Sequence, residues 1–255
     1  MTPRRTLGIL LAALLVGLIV WLPARVLAPL LPGEVRCLEW RGTVWQGRCL
    51  ALQQQNVQTG EIRWDLRALS SVTWRPELEL QWTRADSTIS AIVTAAGLSE
   101  IRVRTLRIDL AFATLRESLP VTLLSQWSLP RSGRLQGDNL SVELIRTPAG
   151  VWQPSVILGS ARVLELPAPG SAVPLGDFEA RFVPPSTAEA PVAARLRDLG
   201  GPISLQGDLR WQPADGRYQL SARVRARSAI AVPWLEQLGP PAADGRRDLV
   251  LEGSI

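Results

Sequence analysis

The segment Thr6–Leu22 (TLGILLAALLVGLIVWL) constrains this chain most, because it runs for 17 residues without a charged side chain. At a rise of 1.5 Å per residue, about 17 to 25 apolar residues span a hydrocarbon core roughly 30 Å thick. Arg4 and Arg5 precede the segment, and only Arg25 follows it closely. Because positive charge is retained on the cytoplasmic side, the pattern predicts a cytoplasmic amino end at 1–5, a transmembrane anchor helix at 6–22 and export of the remaining chain.

Cleavage of this segment as a signal peptide is the first alternative. The best small-x-small cleavage site is Val26-Leu27-Ala28, but Pro29 follows it and blocks processing, and the apolar run is longer than the 7–15 residues typical of a signal peptide. Trp21 at the distal end suits a membrane interface. The sequence therefore favours an uncleaved single-pass anchor over a cleaved signal peptide, and both over a buried helix of a soluble domain.

The basic residues exclude several kinds of chemistry. The chain has no His and no Lys, and all 28 of its basic residues are Arg, a usage typical of GC-rich coding sequence. Without imidazole or amine, a His-dependent catalytic triad, a P-loop and a Schiff base are excluded, and two Cys without His cannot make an ordinary zinc site. No pair of carboxylates stands out either. We therefore expect a non-catalytic protein without metal or cofactor.

The formal net charge of +5 raises the question of an anionic partner. The arginines are spread along the chain, and export removes nucleic acid as a natural partner. Two arginine clusters, Arg102-Arg104-Arg107 and Arg223-Arg225-Arg227, are interpreted as alternating at spacing two, which is typical of the outward face of a strand. These side chains are interpreted as a solvated strand face, with an anionic surface such as lipid headgroups or an acidic protein as the alternative.

Cys37 and Cys49 are the only cysteines, and both lie on the side predicted to be exported, where disulfides form. Two extended runs joined around Gly42 or Gly47 would place the two sulfurs opposite each other in a hairpin. The spacing and compartment favour a disulfide, while two unpaired buried thiols remain the alternative.

From Val35 onward the hydrophobic pattern has period two, after a proline-containing connector at 23–34. The clearest hairpin alternates over 203–211, turns at 213–216 and alternates back over 218–226. The fold class predicted for 35–255 is a mainly β, antiparallel, twisted or curled sheet. The repeated Leu-Gln-Gly at 135–137 and 205–207 is compatible with two β units, about 35–130 and 131–255. Short helices are predicted over three segments: 66–74, 112–119 and 228–238.

Ordered motifs then carry a resemblance to a known family. Gly42-Thr43-Val44-Trp45-Gln46-Gly47 follows the connector, and Ile62-Arg63-Trp64-Asp65-Leu66 comes next. Late in the chain stand Leu205-Gln206-Gly207-Asp208-Leu209-x-Trp211 and Gly216-x-Tyr218. Together with the apolar first segment, this order is similar to that of the bacterial type II secretion system protein N family (general secretion pathway protein N).

The resemblance implies a non-catalytic accessory subunit of the inner membrane. Its periplasmic domain would contact the inner-membrane platform, with the outer-membrane secretin or its connector as a further candidate partner. A more distant similarity to large periplasmic β-groove proteins supports the alternative of a membrane-anchored module that binds lipid or another hydrophobe. No small-molecule substrate is implied.

The motif residues themselves are interpreted as structural. Gly42 and Gly47 permit bends that other residues resist, and Trp45 is expected to fill the core beside Trp64. The late motif residues Gly207, Trp211, Gly216 and Tyr218 are assigned to the folding of the last hairpin.

Overall fold

The computed structural model describes residues 3–31, 35–54, 57–67, 76–97, 99–118, 130–147, 150–168, 173–187 and 190–254. The described parts contain three α-helices: α1 (Pro3–Val20), α2 (Phe112–Ser118) and α3 (Val232–Glu236). They also contain a 3-10 helix at Ala24–Leu30, called the connector helix below, and a 3-10 turn at Ala229–Ala231. The strands are β1 (Val35–Cys37), β2 (Trp40–Gly42), β3 (Gln46–Gln54), β4 (Val57–Arg67), β5 (Glu77–Arg84), β6 (Ser87–Ala95), β7 (Glu100–Ala111), β8 (Arg134–Arg146), β9 (Trp152–Pro167), β10 (Pro174–Val183), β11 (Val192–Gly200), β12 (Ile203–Trp211), β13 (Arg217–Ala226) and β14 (Arg247–Ser254).

These strands form one antiparallel sheet in which the order of neighbours follows the order in the chain. From β3 to β14 each strand pairs with the one before it, while β1 and β2 both pair with β3. The predicted mainly β, antiparallel fold is confirmed. Strands β7 and β8 also pair with each other across the predicted boundary near residue 130, so the described strands of both predicted units share this sheet.

Two of the three predicted short helices are confirmed, as α2 and as the helical turns at 229–236. The predicted helix at 66–74 is wrong at its start, because Leu66 and Arg67 are the last residues of β4 and pair with β5. Cross-strand pairing outweighed the local helical spacing of the apolar residues there. Residues 68–74 lie outside the described residues. The predicted hairpin is confirmed, since Ile203–Trp211 pairs in register with Tyr218–Ala226.

The predicted membrane segment forms the greater part of α1, and large apolar side chains from Leu10 to Val20 are exposed along it. Among the described residues, no helix meets both the length and the apolar character that crossing a membrane requires. The membrane span therefore stays a prediction from the sequence.

The sheet has two chemically different faces, because residues directly opposite each other in neighbouring strands point to the same side. One line of partners, the apolar row, crosses every strand from β2 to β14: Trp40, Cys49, Ile62, Trp82, Ile89, Ile108, Gly137, Ala161, Ala180, Leu196, Gly207, Ala222 and Leu249. A second line, the polar row, crosses the opposite face from β6 to β14: Thr88, Asp109, Gln136, Arg162, Glu179, Arg197, Gln206, Arg223 and Asp248.

Short helices cover the apolar face at its two ends and produce two clusters of buried side chains. At the first end, Ala24 of the connector helix packs with Cys49 and Trp64. At the other end, Ala231 and Leu235 of the last helical turns pack over β12 and β13. Most of the apolar row between these clusters is only half-buried. Among the described helices α2 also packs on the sheet, since it contacts β4 and β7 and Thr114 donates to Asp86 in the β5–β6 turn.

Candidate interaction surface

The motif of residues 42–47 forms the tight hairpin that joins β2 to β3. Gly42 and Gly47 are paired across it, and the backbone N–H of Thr43 donates to the carbonyl of Gln46 at 2.8 Å. Gly42 has a φ of 91°, a conformation that side chains disfavour. A Cβ atom at Gly47 would lie 2.5 Å from the Trp64 ring, so glycine is required there for close packing.

Trp64 closes the core beneath this hairpin. Its ring stands edge-on to Trp40, with ring centroids 5.9 Å apart and planes at 71°, a favourable aromatic geometry. Its indole Nε1–H donates to the carbonyl of Val44 at 3.1 Å. The aromatic pair under the motif is therefore Trp40–Trp64, in which Trp64 is buried and Trp40 is half-buried.

The expectation that Trp45 fills the core beside Trp64 is wrong. The indole Nε1–H of Trp45 donates to the carbonyl of Ile19 at 2.8 Å, so this half-buried side chain contacts the end of α1. Trp45 lies in the turn, one residue before β3 begins, where strand alternation does not fix the direction of a side chain. Its contact with a segment 26 residues earlier leaves no signal in the local sequence.

Two further backbone contacts join α1 to the sheet at the same place. The N–H of Val44 donates to the carbonyl of Leu22 at 2.9 Å, and Pro23 forms an isolated β-bridge with Thr43. The motif hairpin thus holds the end of α1 against the first strands. This is a consequence of the motif that the sequence did not reveal.

The structure joins Cys37 and Cys49 by a disulfide, with Cα atoms 5.9 Å apart. This agrees with the pairing favoured from their spacing. Cys49 pairs with Trp40 across β2 and β3 and is almost fully buried, so the bond lies within the first core cluster.

The late motif residues lie in the hairpin of β12 and β13. Gly207 faces Ala222, and a Cβ atom at Gly207 would approach the carbonyl oxygen of Ser221 to 2.4 Å. Tyr218 pairs with Trp211 and covers Gly253 on β14, and the carbonyl of Arg217 accepts from the Gln212 N–H. Gly216 has a φ of 70° in the turn. These contacts are compatible with the structural role assigned to the motif.

The polar face carries a buried carboxylate, Glu179, surrounded by three arginines. Arg197 contacts it at 2.6 Å, Arg162 at 3.3 Å and Arg181 at 3.7 Å, and the Glu179 side chain is only 1 % exposed. Burial by itself raises the pKa of Glu179, but the hydrogen bonds from Arg197 and Arg162 outweigh it and hold this pKa below its usual value. The cluster therefore connects three neighbouring strands, β9, β10 and β11.

Other arginines of this face have no carboxylate partner within the part of the chain that the structure describes. They include Arg104, Arg107, Arg195, Arg210, Arg223 and Arg225, all exposed. The predicted outward orientation of Arg223, Arg225 and Arg227 is confirmed by their exposure, although Arg227 pairs with Asp198 at 2.6 Å. Asp208 and Asp248 lie directly opposite Arg195 and Arg223, so the positive charge that the arginines present across β11 to β13 is only partly compensated.

A second charged cluster joins the β5–β6 turn to β7 and β8. Arg134 contacts both Asp86 and Asp109, and Thr114 of α2 donates to Asp86 at 3.1 Å. Hydrogen bonds from Thr114 to Asp86 and from Arg134 to Asp109 lower the pKa of each carboxyl group. In the described ranges no three Cys, Asp or Glu side chains are placed to hold a metal ion, and these carboxylates act as structural ties.

Comparison with known proteins gives a consistent result. The family model described as "Type II secretion system (T2SS), protein N" matches residues 34–250. A protein of Klebsiella pneumoniae named type II secretion system protein N is 27 % identical over 97 % of this chain and 92 % of its own length. Proteins of the same name from Vibrio cholerae serotype O1 and Aeromonas hydrophila are 27 % and 25 % identical, over 95 % and 97 % of this chain and 94 % and 97 % of their own lengths. No solved structure gives a significant match. The chain belongs to the type II secretion system protein N family.

Proposed function

We propose that this chain is a non-catalytic accessory subunit of the type II secretion machinery, tethered to the inner membrane by residues 6–22 with its β domain in the periplasm. The observation that carries the proposal is the family match over residues 34–250, joined to relatives of the same name along nearly the whole chain. The uncharged segment and the arginines before it support the tether.

The attachment of α1 to the first strands supports a scaffolding role. Hydrogen bonds from Trp45 and Val44 hold the helix end on the sheet, which gives the sheet a defined orientation relative to α1. A membrane-tethered sheet held in this way would present its arginine-rich face to other secretion components at a fixed angle. An excess of positive charge on one face steers association with a partner of opposite charge.

Secretion in a deletion strain tests the proposal. Loss of the gene should reduce the release of folded type II substrates into the medium, and the wild-type chain should restore it. The double variant Arg223→Glu/Arg225→Glu should restore secretion and co-purification with inner-membrane platform proteins less well than Arg104→Glu/Arg107→Glu, a matched change at two other exposed arginines. Unchanged secretion and unchanged platform composition in the deletion strain would refute the proposed function.

A second function, a periplasmic groove that binds a lipid or another hydrophobe, is favoured by one specific observation. The apolar row is continuous from β2 to β14, most of it is half-buried, and the described helices cover only parts of the sheet. Native mass spectrometry of the full chain released from a mild detergent separates the two functions. Retained lipid at one molecule per chain supports the groove, and an empty chain that still co-purifies with platform proteins supports the accessory subunit alone.

A further inference from the structure

An apolar cavity of about 290 Å³ lies between the connector helix and the first strands of the sheet. Leu27 and Leu31 close one side, and Trp40, Leu78 and Leu80 form part of the floor. All thirteen residues that line it are Leu, Ile, Val, Trp or the two disulfide-bonded cysteines. No charged side chain is among them.

The wall of the cavity offers little to a polar ligand. The Nε1–H of Trp64, one of its few polar groups, is already bonded to the carbonyl of Val44. Apolar cavities of about 150 Å³ stay free of water and take up molecules such as benzene. A cavity roughly twice that size, lined in this way, therefore selects a hydrocarbon ligand.

The mouth of the cavity adjoins the end of α1. Leu30 belongs to the lining and is nevertheless 78 % exposed, so the cavity opens to the surface at the connector helix. Trp21 and Val26, which precede Leu30 in the chain after α1, are exposed apolar side chains as well. The hydrogen bond from Trp45 to Ile19 keeps the mouth beside the helix end. Val44, which lines the cavity, donates its N–H to the carbonyl of Leu22, so the cavity lies close to the segment that follows α1.

We propose that this cavity binds one acyl chain of a membrane phospholipid, with the headgroup remaining outside. The volume lies at the lower end of the roughly 300–1,000 Å³ typical of ligand pockets, which fits a single chain better than a whole lipid. The proposal rests on the proposed membrane tether, because the tether places the mouth at the bilayer surface. Bound in this way, the acyl chain would fill the cavity and pack against the disulfide and Trp64 of the first core cluster.

Photolabelling of the full chain in vesicles tests the site. The vesicles contain phosphatidylethanolamine and phosphatidylglycerol, with a small fraction of phosphatidylethanolamine that carries a diazirine on one acyl chain. After irradiation, mass spectrometry should find lipid adducts on peptides that contain the connector helix and β3. Leu80→Trp fills the cavity and should reduce these adducts about tenfold, a difference that corresponds to about 1.4 kcal/mol. Leu209→Trp makes the same change on β12, outside the cavity, and should leave them unchanged.

A second pair of variants protects the test against a folding defect. Leu30→Glu places a charge at the exposed mouth, where folding is little affected, and should also reduce labelling about tenfold. Leu38→Glu is the control, since Leu38 is 61 % exposed and does not line the cavity. Far-UV circular dichroism of all four variants should match the wild type.

The outcomes separate this inference from the proposed function. If the wild-type chain resists extraction by alkaline carbonate but its cavity peptides label no more than those of Leu80→Trp, the acyl site is refuted and the tether stands. If carbonate extracts the chain, the tether fails, and the same labelling in mixed phospholipid–detergent micelles still decides the cavity. If Leu30→Glu and Leu80→Trp instead release a partner protein in cells and no lipid adduct forms, the occupant is a partner side chain and the proposal is wrong.

Discussion

Replacing Glu179 by Gln should destabilise the sheet more than any similar change at an exposed carboxylate of the same face. Among the described residues, Glu179 is the only charged residue that is buried. Arg197 and Arg162 both donate to it through Nε, and Arg181 lies 3.7 Å away. The amide of Gln keeps the size of the side chain but removes the charge that three arginines share.

The expected loss follows from these contacts. A hydrogen bond to a charged group contributes about 1.5–3 kcal/mol. Arg162 and Arg197 are 49 % and 57 % exposed, so each regains water when its partner loses charge, and solvent screening reduces the net contribution of the pairs. We therefore expect Glu179→Gln to lower the free energy of unfolding by about 2 kcal/mol, which corresponds to a fall in Tm of roughly 4–8 °C.

The same reasoning fixes the pH dependence. The pKa of Glu179 in the folded chain lies below its ordinary value of 4.5, since the arginine hydrogen bonds outweigh the effect of burial. As the pH falls, the unfolded chain takes up the proton first, so the stabilisation is fully present above about pH 4.5 and is lost as the pH falls through the folded pKa. The difference in Tm between wild type and Glu179→Gln should shrink below that pH.

Thermal unfolding followed by far-UV circular dichroism, with the full chain in a nonionic detergent, measures both effects. Glu79→Gln is the matched control, because Glu79 makes one ion pair, at 3.1 Å to Arg67, and is 54 % exposed. This control should cost less than about 1 kcal/mol. Equal Tm values for Glu179→Gln and Glu79→Gln at pH 7 would show that the buried cluster does not stabilise the sheet as argued. So would a difference in Tm between wild type and Glu179→Gln that stays the same at acid pH.

Three further changes test other parts of the molecule. Cys37→Ser/Cys49→Ser removes a disulfide between cysteines 12 residues apart and should lower the free energy of unfolding by about 3 kcal/mol. The Tm of this variant should be lower than that of the wild type and should not change when a reductant is added. Gly207→Ala forces a Cβ to within 2.4 Å of a backbone oxygen and should cost about 2 kcal/mol or more, whereas an unchanged Tm would contradict the close packing. Trp45→Phe removes the hydrogen bond to α1, worth about 1 kcal/mol, and should speed tryptic cleavage at Arg25 in limited proteolysis, while equal cleavage rates would argue against the junction.

Much of the sheet could be predicted from the sequence, because alternation at period two is a local property of each strand. The hairpin of residues 203–226 shows this, since its nine alternating positions, its turn and its return strand all lie close together in the chain. The helix predicted at 66–74 shows the limit. Leu66 pairs with Leu78 of β5, and this contact with another strand decided a segment whose own spacing favoured a helix.

The candidate surface was less accessible to sequence reasoning, because its main contacts join distant residues. Trp45 was expected in the core as a large aromatic side chain, but its indole N–H donates to the carbonyl of Ile19 at the end of α1. No motif or spacing in the sequence singles out the arginines around Glu179. Nothing in their local sequence indicates that Arg162 and Arg197 come from different strands to one carboxylate.

The sequence by itself determined the chemistry of the parts: an uncharged apolar segment at 6–22, a chain without His or Lys, and strands with one apolar and one polar side. Each of these depends on residue type or on spacing within a few positions. Only the tertiary structure decided which strands are neighbours and in what register. Register aligns the apolar sides into a row from Trp40 to Leu249, buries Glu179 among its arginines and leaves a hydrocarbon-lined cavity beside the end of α1. A register is set by the sum of many weak cross-strand contacts, so no single segment of the sequence contains it.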